Sequence, residues 1–254
     1  MQKFSAEEIR TSVRDRYGAV ARTQGTECGC SSSGCSPALG YTADELAQAP
    51  EGANLGLGCG NPQAIAALQS GETVLDLGSG GGFDCFLAAR AVGQHGRVIG
   101  VDMTHEMIAL SRKNAAKTGY GNTEFRLGEI EHLPVADATV DVIMSNCVIN
   151  LSPDKPQVFR EAFRVLKSGG RLAVSDMVAS GKLPEEMQSD LASYSACVGG
   201  ASPVDELAAM ITAAGFTDVR IDPKKESRHF VKDWVPGRGI ENYVLSATIE
   251  AVKP

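Results

Sequence analysis

The sequence predicts an α/β fold in which a mostly parallel sheet carries helices on both faces. Two observations predict it. Between residues 61 and 180, short apolar β segments alternate with helical patterns of about 10 to 15 residues, the mark of βαβ units. Two further β-rich runs, 217–222 and 241–250, then fit a seven-stranded sheet that ends in an antiparallel pair.

The elements follow in order. Residues 5–22 read as an amphipathic helix: Ser5 and Glu8 have capping-box spacing, and Ile9, Val13, Tyr17 and Val20 form one apolar face. Residues 23–60 lose that periodicity to Gly, Ser, Cys and Pro, and a long irregular loop with one short helix at 42–49 is expected. A helix at 62–69 leads to a strand at 73–77; after a run of glycines come a helix at 84–92, a strand at 97–102 and a helix at 104–118 behind Thr104. Strands at 123–127 and 139–145, a helix at 154–167 and a strand at 170–177 complete the core. Gly169-Gly170 is expected to end the last of these helices. Helices at 184–197 and 203–214 precede the final strands. The expected division is an N-terminal helix with a cysteine-rich loop (1–60), the core (61–180), and C-terminal helices with the closing strand pair (181–254).

Composition narrows the function. The 254 residues, 43% hydrophobic and 22% charged, suffice for a sizeable core. A net charge of −7 lacks the basic stripe that a nucleic-acid backbone needs. No apolar run reaches the roughly 20 residues of a membrane span, and the N-terminus has no signal-like stretch. A cytoplasmic, monomeric enzyme is expected. None of the four histidines (95, 105, 132, 229) belongs to a catalytic constellation.

Asp76-Leu77-Gly78-Ser79-Gly80-Gly81-Gly82 follows an apolar strand and opens a helix, so its backbone can turn sharply and approach a ligand closely. A glycine turn alone could serve a dinucleotide or no ligand at all. Asp102 ends the next strand, where a carboxylate accepts hydrogen bonds from both ribose hydroxyls. The strand at 123–127 runs into Gly128-Glu129-Ile130-Glu131, where backbone N–H groups and a carboxylate can read adenine. Asp76 would repel a pyrophosphate but can orient an ammonium group, which favours S-adenosylmethionine over NAD. Val74 through Gly80 resembles the first motif of class I methyltransferases, and the later motifs agree over about 70–180. The resemblance implies a Rossmann-like, seven-stranded class I methyltransferase sheet. Gly78 and Gly80 would flank the methionine moiety, Asp102 would hold the ribose, and Ile130 with Glu129 or Glu131 would frame adenine. Asp76, Ser79, Met103 and Asn146 complete the expected cofactor set.

Seven cysteines (28, 30, 35, 59, 85, 147, 197) are many for such a chain. Each can be a small buried hydrophobe, but thiol chemistry or soft-metal binding is the sharper reading. Cys147, in Ser145-Asn146-Cys147-Val148-Ile149-Asn150-Leu151, sits where the methyl would emerge. Cys197 lies in the region covering that edge, and Cys59, between two glycines, is expected in an exposed turn. Three converging thiols suit a soft acceptor: arsenic(III) takes three sulfurs in a pyramid and keeps a lone pair for attack. The segments Ser145–Leu151, Glu186–Ala201, Leu77–Cys85 and Gly100–Thr104 resemble the arsenite methyltransferase family over roughly 55–215. The resemblance implies that Cys59, Cys147 and Cys197 bind the arsenic of arsenite or its thiol conjugates. It further implies a disulfide relay from Cys59 to one N-terminal cysteine, with thioredoxin or glutathione as reductant. Of Cys28, Cys30 and Cys35, Cys30 is taken as the partner on its spacing to Cys59. Three cysteines without a clear fourth ligand make a weak zinc pattern, and Cys85 reads as packing or a secondary relay thiol. The alternative is a class I C- or O-methyltransferase of a small, quinone-like acceptor, which shares every cofactor motif.

Overall fold

A computed structural model describes residues 4–23, 39–181, 183–188, 190–195, 197–232, 234 and 237–254; Cys28, Cys30 and Cys35 lie outside these. Three helices precede the sheet: α1 (Ala6–Thr23), α2 (Ala43–Gln48) and α3 (Gln63–Ala66). The core runs β1 (Thr73–Leu77), α4 (Phe83–Val92), β2 (Arg97–Asp102), α5 (His105–Thr118), β3 (Thr123–Leu127), β4 (Val140–Asn146), α6 (Lys155–Val165) and β5 (Leu166–Ala179). Then follow α7 (Glu185–Gln188), α8 (Leu191–Ser195), β6 (Ser202–Pro203), α9 (Val204–Ala213), β7 (Thr217–Lys224), α10 (Arg228–Val231) and β8 (Val244–Val252).

The strand order is β3-β2-β1-β4-β5-β8-β7, with β6 paired to the end of β5 as an eighth strand. β1 to β5 run parallel, and β8 is antiparallel to both β5 and β7. The expected seven-stranded class I sheet is therefore present, with the two-residue β6 added. Its order reverses between β1 and β4, which leaves a crevice beyond the carboxyl ends of those two strands.

Strand residues alternate between two cores. Leu75, Leu77 and Ile143 pack with Phe159 and Ala162 of α6, while Val74, Val142 and Met144 pack with Phe86 and Ala89 of α4. Full burial of each large side chain contributes about 1.5–3 kcal/mol. At the N-terminus, Ser5 and Glu8 form the expected capping box, with Glu8 N–H donating to Ser5 Oγ (3.2 Å) and Ser5 N–H to Glu8 Oε2 (2.7 Å). The face of α1 that carries Ile9, Val13 and Val20 is buried.

Three helices end or divide differently from expectation, the first two through a long-range contact and the third through a local cap. The helix at 62–69 stops at Ala66, because the Arg171 guanidinium takes the carbonyls of Ala66 and Ala67 and Ala67 turns left-handed (φ 46°). The helix at 154–167 stops at Val165, where Lys253 Nζ binds the carbonyls of Phe163 and Leu166. Gly169 does not end that helix; it sits at the β5 irregularity with φ 78°. The helix at 184–197 is two short helices, α7 and α8, because Asp190 caps the second through Ala192 N–H and Ser193 Oγ.

Candidate active site

Beyond the carboxyl ends of β1 and β4 lies a cavity of about 1120 Å³, counted out to its mouth. The loop after β1 forms its floor. Gly78 has φ 69°, and a Cβ there would lie 2.3 Å from Val148, so only glycine lets this turn and the β4 turn approach so closely. Asp102 organises the turn: its two oxygens accept from Gly80 N–H (3.0 Å) and Thr104 N–H (2.8 Å). Burial raises its pKa, against the pull of those two donors. Each oxygen keeps lone pairs for another donor, and the buried Ser79 Oγ has no hydrogen-bond partner among the described residues.

Asp76 and Asp84 both line the cavity. Burial, and then the Asp84 charge, push Asp76 well above the carboxylate range. Burial pushes Asp84 up to about 6, although Tyr41 Oη (2.7 Å) and Asn146 Nδ2 (3.2 Å) donate to it. Cys85 is buried and donates to Asp76 Oδ2 (3.2 Å), so it braces the floor. Met103, Ile130 and Glu131 form another wall. Glu131 accepts from Ser152 Oγ (2.7 Å) and pairs with Arg10 (3.4 Å). Glu129 pairs with Arg10 (3.3 Å) and, more loosely, Arg14 (3.7 Å). These two carboxylates thus tie α1 over the cavity, and Arg10 lines it.

Asn146 is at the cavity edge, but its amide serves a second structure. Its Oδ1 accepts from Cys59 N–H (3.0 Å), and its Nδ2 lies 2.9 Å from both Gly60 O and Tyr41 Oη. Cys59 is not in an exposed turn: it is 1% exposed. Its flanking glycines allow this burial, since a Cβ on Gly58 would lie 2.6 Å from Asn146 and one on Gly60 2.9 Å from Ser175. Ser246 Oγ grips the Cys59 carbonyl from β8 (2.7 Å).

Cys59, Cys147 and Cys197 share one buried apolar cluster with Met177, Leu183 and Val198. The Cys59 and Cys147 sulfurs lie within 4.8 Å of each other. Cys197 Sγ donates to the Cys147 carbonyl (2.8 Å). Cys147 lines the cavity, whereas Cys59 and Cys197 do not. Cys147 and Cys197 both have φ 62°, a left-handed conformation that disfavours any residue with a Cβ and is held by surrounding bonds such as Cys147 N–H to Ser175 O (2.8 Å). Burial raises the Cys59 thiol to about 11 and puts Cys147 higher than an ordinary thiol, so both are neutral near pH 7.

Beside them lies Asp176, whose carboxylate is within 4.8 Å of the Cys59 and Cys147 sulfurs. It is 2% exposed and raised to about 6 by burial. Buried Lys155, lowered by burial to about 8, donates to Ser202 Oγ (2.7 Å) and to the carbonyl of Gly200, and so pins the turn after Cys197. Sequence reasoning missed Asp84, Lys155 and Asp176. The available signal for Asp176 was a charged residue inside the apolar run Ala173-Val174-Ser175-Asp176-Met177-Val178.

Comparison with known proteins agrees with this geometry. Residues 68–221 match a methyltransferase domain family model. The chain is 53% identical to an arsenite methyltransferase of Halobacterium salinarum over 98% of its own length and 67% of the relative's. The chain belongs to the arsenite methyltransferase family. A second family member, from Aquipseudomonas alcaligenes, is 41% identical over 84% of this chain and 63% of its own length. The chain thus spans about two thirds of these curated relatives. The crystal structure of an arsenic(III) S-adenosylmethionine methyltransferase from Chlamydomonas reinhardtii superposes with a TM-score of 0.66 at 32% identity, covering 86% of this chain and 73% of that one. The family is one of S-adenosylmethionine-dependent methyltransferases, and the sheet order here is that of the class. Among the described residues, no helix is long and apolar enough to cross a membrane.

Proposed function

We propose that the chain transfers a methyl group from S-adenosylmethionine to trivalent arsenic held by Cys59, Cys147 and Cys197. One observation carries this reading: three thiols from remote segments meet in one buried cluster, and one of them opens onto the cavity. The neutral Cys59 and Cys147 thiols suit the loading step. Arsenite exchanges three hydroxyls for three thiols, and each thiol proton leaves in water, so no general base is required.

The cavity residues fit the donor. Asp102, with lone pairs to spare, would accept the ribose hydroxyls, and the unpartnered Ser79 Oγ offers another polar contact. Asp76 and Asp84 would face the ammonium group, Gly78 and Gly80 would border the methionine end, and Met103 and Ile130 would sandwich adenine. Glu129 and Glu131 would close that end through Arg10 rather than by binding the donor alone. When bound, S-adenosylmethionine supplies an electrophilic methyl on a sulfonium. Cys147, at the boundary between cavity and cluster, directs the arsenic lone pair at it.

Methylation oxidises arsenic by two electrons. A disulfide between two thiols of the chain returns both electrons and restores the trivalent state; Cys59 and Cys30 are the proposed pair. An external thiol, one dithiol of the thioredoxin class or two equivalents of a monothiol of the glutathione class, then reduces that disulfide by exchange. The test is incubation with arsenite, S-adenosylmethionine and a thiol, followed by arsenic speciation. Methylated arsenic is expected. Folded, donor-binding protein that yields none would sink the arsenic reading, and equal methylation of a quinone-like acceptor by a Cys147→Ser, Cys197→Ser variant would replace it.

A further inference from the structure

We propose that Asp176 stabilises the positive charge that reaches arsenic during methyl transfer, an inference that rests on the arsenic reading above and adds a residue to it. Asp176 stands on β5 beside the Cys147 turn. Its Oδ1 accepts from Met177 N–H (2.7 Å) and Asn150 Nδ2 (2.8 Å), and its Oδ2 from Ile149 N–H (2.9 Å). Those donors hold the carboxylate in one position within 4.8 Å of two of the sulfurs. An atom bonded to both sulfurs is no more than about one bond length farther off.

Position makes this carboxylate different from the others. Asp76, Asp84 and Asp102 line the cavity on the donor side, and Asp176 does not. Before transfer the positive charge belongs to the donor, and arsenic with three thiolates is neutral. In the transfer, the arsenic lone pair forms the As–C bond. The donor's C–S bond breaks with its electron pair left on sulfur. The unit positive charge passes to arsenic, which is oxidised from +3 to +5. Charge therefore moves away from the cavity carboxylates and toward Asp176. A fixed anion on that side lowers the energy of the transition state more than that of the bound reactants, which is what accelerates a chemical step. Its burial strengthens the effect, because little water screens it. Lys155 is the buried cation facing this region, but it spends its hydrogen bonds on Gly200 and Ser202 beyond Cys197.

A purely structural Asp176 would only hold the turn at residues 149–150. The two roles separate when chemistry and binding are measured apart. Trp234, the single tryptophan, packs against the apolar cluster that contains the thiols, so its fluorescence is expected to change on arsenite binding. In Asp176→Asn, single-turnover methyl transfer is expected to fall about 100-fold. Affinity for arsenite and, by calorimetry, for S-adenosylhomocysteine should each stay within about threefold. A rate within threefold of the unmodified protein overturns the proposal, as does an equal loss in arsenite affinity. Should the amide disturb the turn, Asp176→Ala takes its place: added formate, filling the vacated volume, is expected to raise the rate about tenfold, and no rise overturns the proposal. If the unmodified protein neither binds nor methylates arsenic, the arsenic reading falls and this role with it. If it does both and the Asn variant matches it, only the role of Asp176 is lost.

Discussion

The donor cavity and the thiol cluster sit side by side but are built in opposite ways. The cavity is open, sets fixed carboxylates among a largely apolar lining and is assembled mainly from consecutive βα units, with Asp76, Gly78, Gly80 and Asp102 within a short stretch of chain. The cluster is apolar and closed, and its three thiols arrive from a loop before the core, the end of β4 and the turn after α8. Charge follows the same division, with four carboxylates (Asp76, Asp84, Asp102 and Glu131) facing the cavity, and the neutral Cys59 and Cys147 thiols beside a single carboxylate, Asp176, in the cluster. A methyl donor needs many fixed polar contacts, while a soft acceptor needs sulfur and exclusion of water. Asn146 and Val148 are the seam between the two regions, one gripping the Cys59 turn and the other packed on Gly78.

If the two regions are separable in this way, substitutions should divide by region. The largest effect is expected from Cys147→Ser, which should lower arsenic methylation about 1000-fold or more, roughly 4 kcal/mol of barrier. Donor affinity by calorimetry should hardly change; a parallel loss of donor binding would break the division. Next comes Asp102→Ala, which removes the ribose acceptor and the anchor of Gly80 and Thr104. Donor affinity should fall about 100-fold, since each hydrogen bond to a charged group contributes about 1.5–3 kcal/mol, while Trp234 still reports normal arsenite binding.

Gly58→Ala probes the seam. Its Cβ would meet Asn146 at 2.6 Å, and overpacking of this kind costs about 1–3 kcal/mol, read as a lower unfolding midpoint in urea. Arsenite binding should weaken with it, because the Cys59 turn must shift. The smallest expected effect is of pH. Donor ammonium binding favours ionised Asp84, whose pKa of about 6 means that the carboxylate is lost as pH falls through that value. Between pH 7 and pH 5 donor affinity should fall about tenfold. Arsenite binding should stay nearly flat over that range, because the Cys59 thiol at about 11 is protonated throughout. A matching pH dependence for both ligands would show that the two regions are not electrostatically distinct.

Features whose physics is local could be read directly from the residues. The glycine loop is legible because a run of glycines between a strand and a helix marks backbone that turns left-handed with no room for a Cβ, and Asp102 because it ends the next strand of the same βαβ unit. The capping box of α1, the strand spans near 73–77, 97–102 and 123–127, and the antiparallel close of the sheet follow from spacing and periodicity in the same way. Features that depend on residues far apart in the chain emerge only with the fold. Cys59 reads as exposed between its glycines, yet Asn146 and Ser246, arriving on β4 and β8, hold it in the core. Helix ends at Ala66 and Val165 are set by Arg171 and Lys253, which no local pattern announces. Asp176 reads as an anomaly within an apolar strand until the fold puts two sulfurs beside it. A hydrogen bond or an electric field acts through space, so its partner is known only once the chain has folded.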